Sequence, residues 1–412
     1  MFTIAFPPSN SRRRGVARWL ALPVALSVSL AAAGEPTAAK QDPIRAKLQA
    51  FVDQQKISGG VVVAGRGDGI LYYDAVGLRD IDAKLPVAKN TIFRLASITK
   101  PITSVGVMIL VDEGRLTIDD PVEKHLKEFR GQMLVAHRNG DTVVLKKPSR
   151  PITVRDLMTH TSGLMPRKPD GLAGLQKTPK LSEAAIIASQ QPLEFEPGSQ
   201  FAYCNQNIDT LGRLIEVLSG EPYETFMQKR IFTPLGMTDT TFFPTAEQLS
   251  RVAVVYQHKA GKLEVPPAMA AGAPAVARYP SAAGGLYSTG ADLARLCRMM
   301  LGQGRLDGQR ILSITAVRAM TAVHTGELAA GHEPGLGWGL GWFVVRWPER
   351  STVMFLPGAY GHGGAYGPQI VVSPPQDLFV ILLVARWDMS NPEAAEVRGG
   401  LQAAAVAALG KR

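Results

Sequence analysis

The order in which hydrophobic periodicities change along the chain constrains its fold more than any single residue. "PIRAKLQAFVDQQK" spaces Ile44, Leu48, Phe51 and Val52 along one helical face. "GGVVVAGRGDGILYYDAVGLRD" then reads as two strands around a Gly/Asp turn. From Phe93 the segment "FRLASITKPITSVGVMILVDEG" predicts an almost wholly apolar helix, closed by Gly114 as C-cap. "MLVAHRNGDTVVL" predicts a small hairpin turning at Asn139-Gly140. From Thr153 to about Arg230 the pattern is mainly helical, and Ile208, Leu211, Leu214, Ile215 and Leu218 mark its clearest face. "ADLARLCRMMLGQG" is a further helix, capped by Thr289 or Asp292. Strand patterns return only late, in "LGWFVVRW", "YGPQIVVSP" and "DLFVILLVAR", before an Ala-rich tail from Pro392 that suits a closing helix. Strands at both ends with helices between have one economical solution. The early and late strands join in a single antiparallel sheet, and the middle helices form a second lobe. The expected fold class is therefore α+β: an antiparallel sheet flanked by helices, with an inserted all-helical lobe. The expected domain covers 42–412, with an α/β lobe of about 42–100 and 283–412 and a helical lobe of about 101–282.

The residues before that domain read as an export signal over 1–33 and a linker over 34–41. "SRRRGVARW" is a basic segment, "WLALPVALSVSLAAAG" an apolar one, and Ala31-Ala32-Ala33 fits an A-x-A cleavage pattern ahead of Gly34. The apolar run is short for a membrane span and Pro23 interrupts it, so no stable span is expected after cleavage. The paired arginines admit the twin-arginine route beside the general secretory one. The expected location is the periplasm or the extracellular space. The formal net charge of +10 falls to +6 once Arg12, Arg13, Arg14 and Arg18 are removed. Basic runs are short and lack interleaved aromatics, which argues against a nucleic-acid partner. Cys204 and Cys297 are too few for a disulfide framework, and both lie in stretches that read as buried, so they are expected to be free.

A lysine in the first turn of a buried helix calls for a reason. Ser97 and Lys100 stand three residues apart, which puts them on one helical face with Cβ atoms about 5–6 Å apart. Pro101 is tolerated in this first turn, and the helix N-terminus favours negative charge on a nearby oxygen. A serine hydroxyl needs a base to become a nucleophile, and a lysine held neutral or charge-balanced can serve. A lone S-x-x-K is also what a capping serine and a snorkelling lysine would look like. Other constellations carry less. No G-x-S-x-G or H-E-x-x-H occurs and no Cys/His clustering suggests a metal, so neither metal nor cofactor is expected. His160-Thr161-Ser162-Gly163 ends a helix and reads as structural; His324 and His332-Glu333 read as surface. Trp338 and Trp342 read as sheet packing, with Tyr360 and Tyr366 the better candidates for a pocket wall.

Two further boxes accompany Ser97-x-x-Lys100: Tyr203-x-Asn205 in "FEPGSQFAYCN" and His362-Gly363-Gly364 in "GAYGHGGAYGPQIVV". With "LTIDDPVEKHL", "ITVRDLMTHTSGL", "IFTPLGMTDTTF", "SAAGGLYSTGADLARL" and "GLGWGLGW", in that order over roughly 42–405, they resemble the serine β-lactamase and penicillin-recognising hydrolase superfamily. The subtype resembles class C and its relatives among family VIII carboxylesterases. The resemblance implies an active site between two lobes, with Ser97 as the acylated nucleophile and Lys100 as its base or proton relay. It implies that Tyr203 is held near ionisation and passes protons to the leaving group. Asn205 would orient Lys100 and the acyl group, and the backbone N–H of Ala365 would complete an oxyanion hole with that of Ser97. The third box departs from the Lys-Thr-Gly of class C β-lactamases. His362 is less reliably charged, and the hydroxyl that meets a β-lactam carboxylate is gone. The resemblance so read favours an exported esterase or amidase of small to medium acyl groups. A β-lactamase or DD-peptidase, or a low-turnover penicillin-binding protein, are the alternatives. Substrate choice is expected to lie in the loops around Arg167–Lys180 and 258–280.

Overall fold

The structure is a computed structural model, and it describes residues 42–165, 180–270, 279–331, 333–387 and 392–410. The expected export signal and linker, and the loop stretches 166–179 and 271–278, lie outside the described residues. Helix α1, Pro43–Asp53, starts where Asp42 accepts hydrogen bonds from the N–H groups of Ile44 and Arg45, with Pro43 in the first turn. The chain then forms β1 (Gly59–Arg66), β2 (Gly69–Asp80) and the short β3 (Leu85–Pro86). Helix α2, Thr99–Asp112, is buried from Thr99 to Leu110 and followed by Gly114 at φ +68°. The Asn139-Gly140 turn joins β4 (Leu134–Asn139) to β5 (Thr142–Lys146) as a separate hairpin. The helical middle supplies α3 (Val154–Met158), α4 (Leu181–Ser189) and α5 (Asn205–Ser219). Thr289 caps α6, Gly290–Leu301, by accepting from the Asp292 N–H.

The late strands are β6 (Leu336–Trp338), β7 (Phe343–Val345), β8 (Tyr360–Gly363), β9 (Gln369–Ser373) and β10 (Leu378–Val384). Early and late strands do join, in an eight-stranded sheet of order β6-β7-β8-β9-β10-β1-β2-β3 among the described residues. The junction is the antiparallel pairing of β1 with β10, running from Gly60 opposite Val384 to Gly65 opposite Phe379. Strand alternation splits the core between the two faces. Val61, Val63, Ile381 and Leu383 pack with α2, α5 and α6. Val62, Ala64, Val380 and Leu382 pack with Leu48 and Phe51 of α1 and with Leu401 and Ala405 of the closing helix α7, Pro392–Leu409. No described helix is long and apolar enough to cross a membrane. The fold expected from the sequence is thus present. His362-Gly363-Gly364 stands ahead of β9, and His362 and Gly363 are themselves paired within β8, opposite Ile370 and Gln369.

Candidate active site

Ser97 lies in a single 3-10 turn, Ala96–Ile98, that runs directly into α2. Ala96 takes φ +45°, a conformation that costs an L residue on the order of 1–3 kcal/mol and persists only when its surroundings enforce it. The enforcement comes from both sides. Leu95 N–H donates to the Leu286 carbonyl at 2.9 Å, and Thr99 Oγ1 donates to the Ala96 carbonyl at 2.7 Å. On the remaining side Gly364 packs so closely that a Cβ there would stand 2.3 Å from the Leu95 carbonyl oxygen. Ala96 and Ile98 are buried, while Ser97 opens onto a cavity of about 740 Å3. Gly364→Ala is expected to destabilise the protein by about 1–3 kcal/mol, as overpacking against backbone does. It should also cut kcat by displacing the Ser97 turn; thermal unfolding and steady-state kinetics check the two effects.

Lys100 is 0 % exposed. Its Nζ is hydrogen-bonded to Ser97 Oγ at 2.8 Å and donates to the Ala283 carbonyl at 2.8 Å. It also stands 4.8 Å from the Tyr203 ring centroid. Burial pushes the Lys100 ammonium down to about 7, against the opposing pull of Asp209 and Cys204. A large share of this amine is therefore neutral at neutral pH and able to take a proton from the hydroxyl beside it.

Tyr203 comes in from the segment ahead of α5 and hydrogen-bonds Ser97. Burial raises its phenol pKa, with the Ser97 hydrogen bond acting weakly against that. Burial of the phenol thus acts against the near-ionised tyrosine implied by the resemblance. His160 stacks on the Tyr203 ring with centroids 4.5 Å apart. Its Nδ1 accepts from the Cys204 N–H at 3.2 Å and from Asn207 Nδ2 at 3.3 Å, and Ser162 Oγ donates to Asn207 Oδ1 at 2.7 Å. His160 and Ser162 thus form the buried bed of Tyr203. Cys204 and Cys297 are free and buried, and burial pushes the Cys204 thiol up to about 11.

The third box lines the same cavity through His362, Gly363, Gly364 and Ala365. His362 is buried, its Nδ1–H donates to the Gly363 carbonyl at 2.8 Å, and its ring centroid lies 6.2 Å from that of Tyr203. Ser97, Lys100, Tyr203, His362, Gly364 and Ala365 are therefore brought together. Asn205 is not: it opens α5 with an exposed side chain, and the Lys100 hydrogen bonds go to Ser97 and Ala283.

Three wall assignments also change. Trp338 lines the cavity, at 5.6 Å from the His362 ring, whereas Tyr360 is buried in the core against Trp342. Glu333, read as surface, lines the cavity, and His324 is half-buried between Arg155 and the Ala319 carbonyl. Arg398 of α7, which no motif marked, lines the same cavity and donates to the Gly364 carbonyl at 2.9 Å. Burial lowers its guanidinium to about 10. Asp209 and the Ala283 carbonyl were missed as well, since neither carries a spacing signal.

The family profile described as Beta-lactamase matches residues 44–405. The chain is 33% identical over 384 residues to Protein Rv1367c of Mycobacterium tuberculosis (strain ATCC 25618 / H37Rv), covering 87% of this chain and 93% of that protein. It is 30% identical over 409 residues to Esterase EstB of Burkholderia gladioli, covering 90% of this chain and 99% of that one. Among solved structures, EstCE1, a hydrolase with promiscuous acyltransferase activity, superimposes with a TM-score of 0.75 at 25% identity, over 88% of this chain and 97% of its own.

Proposed function

The chain belongs to the beta-lactamase family, and from that premise we propose that it is an exported serine hydrolase that works through an acyl-enzyme on Ser97. The observation that carries this reading is the fully buried Lys100 amine, 2.8 Å from the hydroxyl of Ser97 at the wall of a cavity. Ser97 Oγ attacks the acyl carbonyl and gives its proton to neutral Lys100. The oxyanion that forms is held by the N–H groups of Ser97 and Ala365. Collapse breaks the bond to the leaving alcohol or amine. That group takes the proton from Lys100, directly or through the Tyr203 hydroxyl. A water then enters, gives a proton to the same relay, attacks the acyl carbon and releases the acid with Ser97 restored. Because burial keeps the phenol protonated, Tyr203 is a relay and Lys100 the first base.

The substrate class we propose is a small to medium acyl ester or amide. The cavity has Leu336, Trp338, Phe343, Val353 and Trp387 along its wall, and the third box is His362-Gly363-Gly364, without a hydroxyl for a β-lactam carboxylate. We propose also that 1–33 is cleaved as an export signal and that 42–412 forms the hydrolase domain with the lobes outlined above.

The test pits p-nitrophenyl butyrate against a chromogenic cephalosporin on the mature protein. Faster ester turnover is expected. Rapid cephalosporin turnover would put the enzyme with the β-lactamases instead. The pH dependence follows from Lys100, which must be neutral to act. Its folded pKa of about 7 lies below the 10.5 of a free lysine, so kcat/KM is expected to rise with pH through about 7 and then level off. A pH series of kcat/KM for the ester checks this.

A further inference from the structure

The proton relay described above makes no use of the carboxylate that sits beside it. Asp209 lies one helical turn beyond Asn205 on α5. Its Oδ1 accepts from the Ser281 hydroxyl and from the Ala283 N–H, both at 3.1 Å. The carbonyl of that same Ala283 accepts from Lys100 Nζ at 2.8 Å. One residue of backbone is therefore tied at its N–H to a carboxylate and at its carbonyl to the lysine. The segment is pinned further by Thr103, which donates to the Ala282 carbonyl at 2.7 Å, and by the Leu286 N–H, which donates to Thr99 Oγ1 at 3.2 Å. We propose that Asp209 is a positioning residue of the Ser97–Lys100 pair: its carboxylate supplies the counter-charge of the buried lysine, and its hold on Ala283 aims the lysine at Ser97. The proposal rests on the reading of Lys100 as the base.

Among the described residues, Asp209 is the carboxyl group that acts on the Lys100 charge. The groups that face Asp209 are Lys100, Cys204, Tyr223 and Tyr279, and those that face Lys100 are Ser97, Tyr203, Cys204 and Asp209. Burial pushes the Cys204 thiol and the Tyr203, Tyr223 and Tyr279 phenols up, so all four are uncharged near neutral pH. Burial raises the Asp209 carboxyl, and the hydrogen bonds from Ala283, Ser281 and Tyr279 and the Lys100 charge oppose that rise without reversing it. A carboxylate beside an ammonium favours the protonated lysine. Asp209 thus keeps the Lys100 pKa above where burial alone would take it.

The test is the kcat/KM pH profile of Asp209→Asn on p-nitrophenyl butyrate. The amide oxygen can still accept from Ala283 and Ser281, so the loop stays tied while the charge is lost. The acid limb is expected to move to lower pH by roughly one unit, and Asp209→Glu should return it toward the parent position. Should Asp209→Asn fail to fold, Ser281→Ala carries the test. It removes one donor that holds the carboxyl ionised, so Asp209 protonates more readily and the limb is expected to move the same way by less. An acid limb that stays in place in the folded variant overturns the proposal, even if overall activity falls. Ester turnover by the parent that is lost in Ser97→Ala is the control. Without it the hydrolase reading itself fails; with it and an unmoved limb, only the role of Asp209 fails.

Discussion

Ser97→Ala is expected to lower kcat/KM for p-nitrophenyl butyrate by roughly 10^4-fold or more, as loss of an acylated serine does, with no loss of thermal stability. The hydroxyl lines the cavity and its hydrogen bonds are to Lys100 and Tyr203. Its removal leaves the backbone turn intact, because that turn is held by Leu95, Thr99 and Leu286 rather than by the serine side chain. The Lys100 amine keeps the Ala283 carbonyl as a partner. Activity and stability therefore separate. A Ser97 whose role was to cap α2 would behave oppositely: losing a cap costs about 0.5–2 kcal/mol and leaves chemistry in place. The observed N-cap residue of α2 is Ile98, with no side-chain cap bond, which already weighs against that role.

Lys100→Met is the second large effect, and it separates catalysis from structure by sign. General-base loss should lower kcat/KM by roughly 10^2- to 10^4-fold. Stability should hold or rise near neutral pH. The folded pKa of about 7 lies below the free value of 10.5, so the unfolded chain binds the extra proton between those limits. The ammonium therefore costs stability increasingly as pH falls from 10.5 to 7, and methionine removes that cost. Against this, removing one partner of a buried pair costs about 3–5 kcal/mol where the other charge is left uncompensated. The carboxylate of Asp209 keeps its bonds to Ser281 and Ala283 and can protonate, which limits the penalty on that side. Melting curves at pH 7 and pH 9.5 check the account, with the larger gain expected at pH 7. A fall in melting temperature in parallel with activity would make Lys100 a structural residue.

What was readable in the sequence follows from where the signals are local. The helix carrying Ser97 and Lys100 is marked by its apolar run, the hairpin by Asn139-Gly140, and α6 by Thr289, because periodicity, turn chemistry and caps act within a few residues. The joining of β1 to β10 was inferable because strands at both ends have few ways to bury both faces. What was hidden depends on distance and solvent. Asp209 sits on a helix whose visible pattern is its apolar face, and nothing in that pattern says that Ala283 and Lys100 will meet it. A backbone carbonyl such as that of Ala283 has no sequence signature. The direction of the Tyr203 shift depends on how deeply the phenol is buried, and a motif does not record burial. Asn205 carries the motif letter but faces outward at the mouth of α5, whereas Asn207, two residues on and outside the motif, is the buried amide that braces His160 under the tyrosine. Trp338 and Tyr360 exchange roles for a similar reason: which aromatic meets the cavity is decided by packing against His160 and Trp342, not by proximity to the third box.

An acyl-enzyme on Ser97 is detectable by intact-protein mass spectrometry of the mature protein, acid-quenched within seconds of mixing with p-nitrophenyl butyrate. One added butyryl group is expected, located on the Ser97 peptide by fragmentation, absent from Ser97→Ala and lost on longer incubation as water releases the acid. Ester turnover with the adduct on another residue, or undiminished turnover by Ser97→Ala, would contradict it.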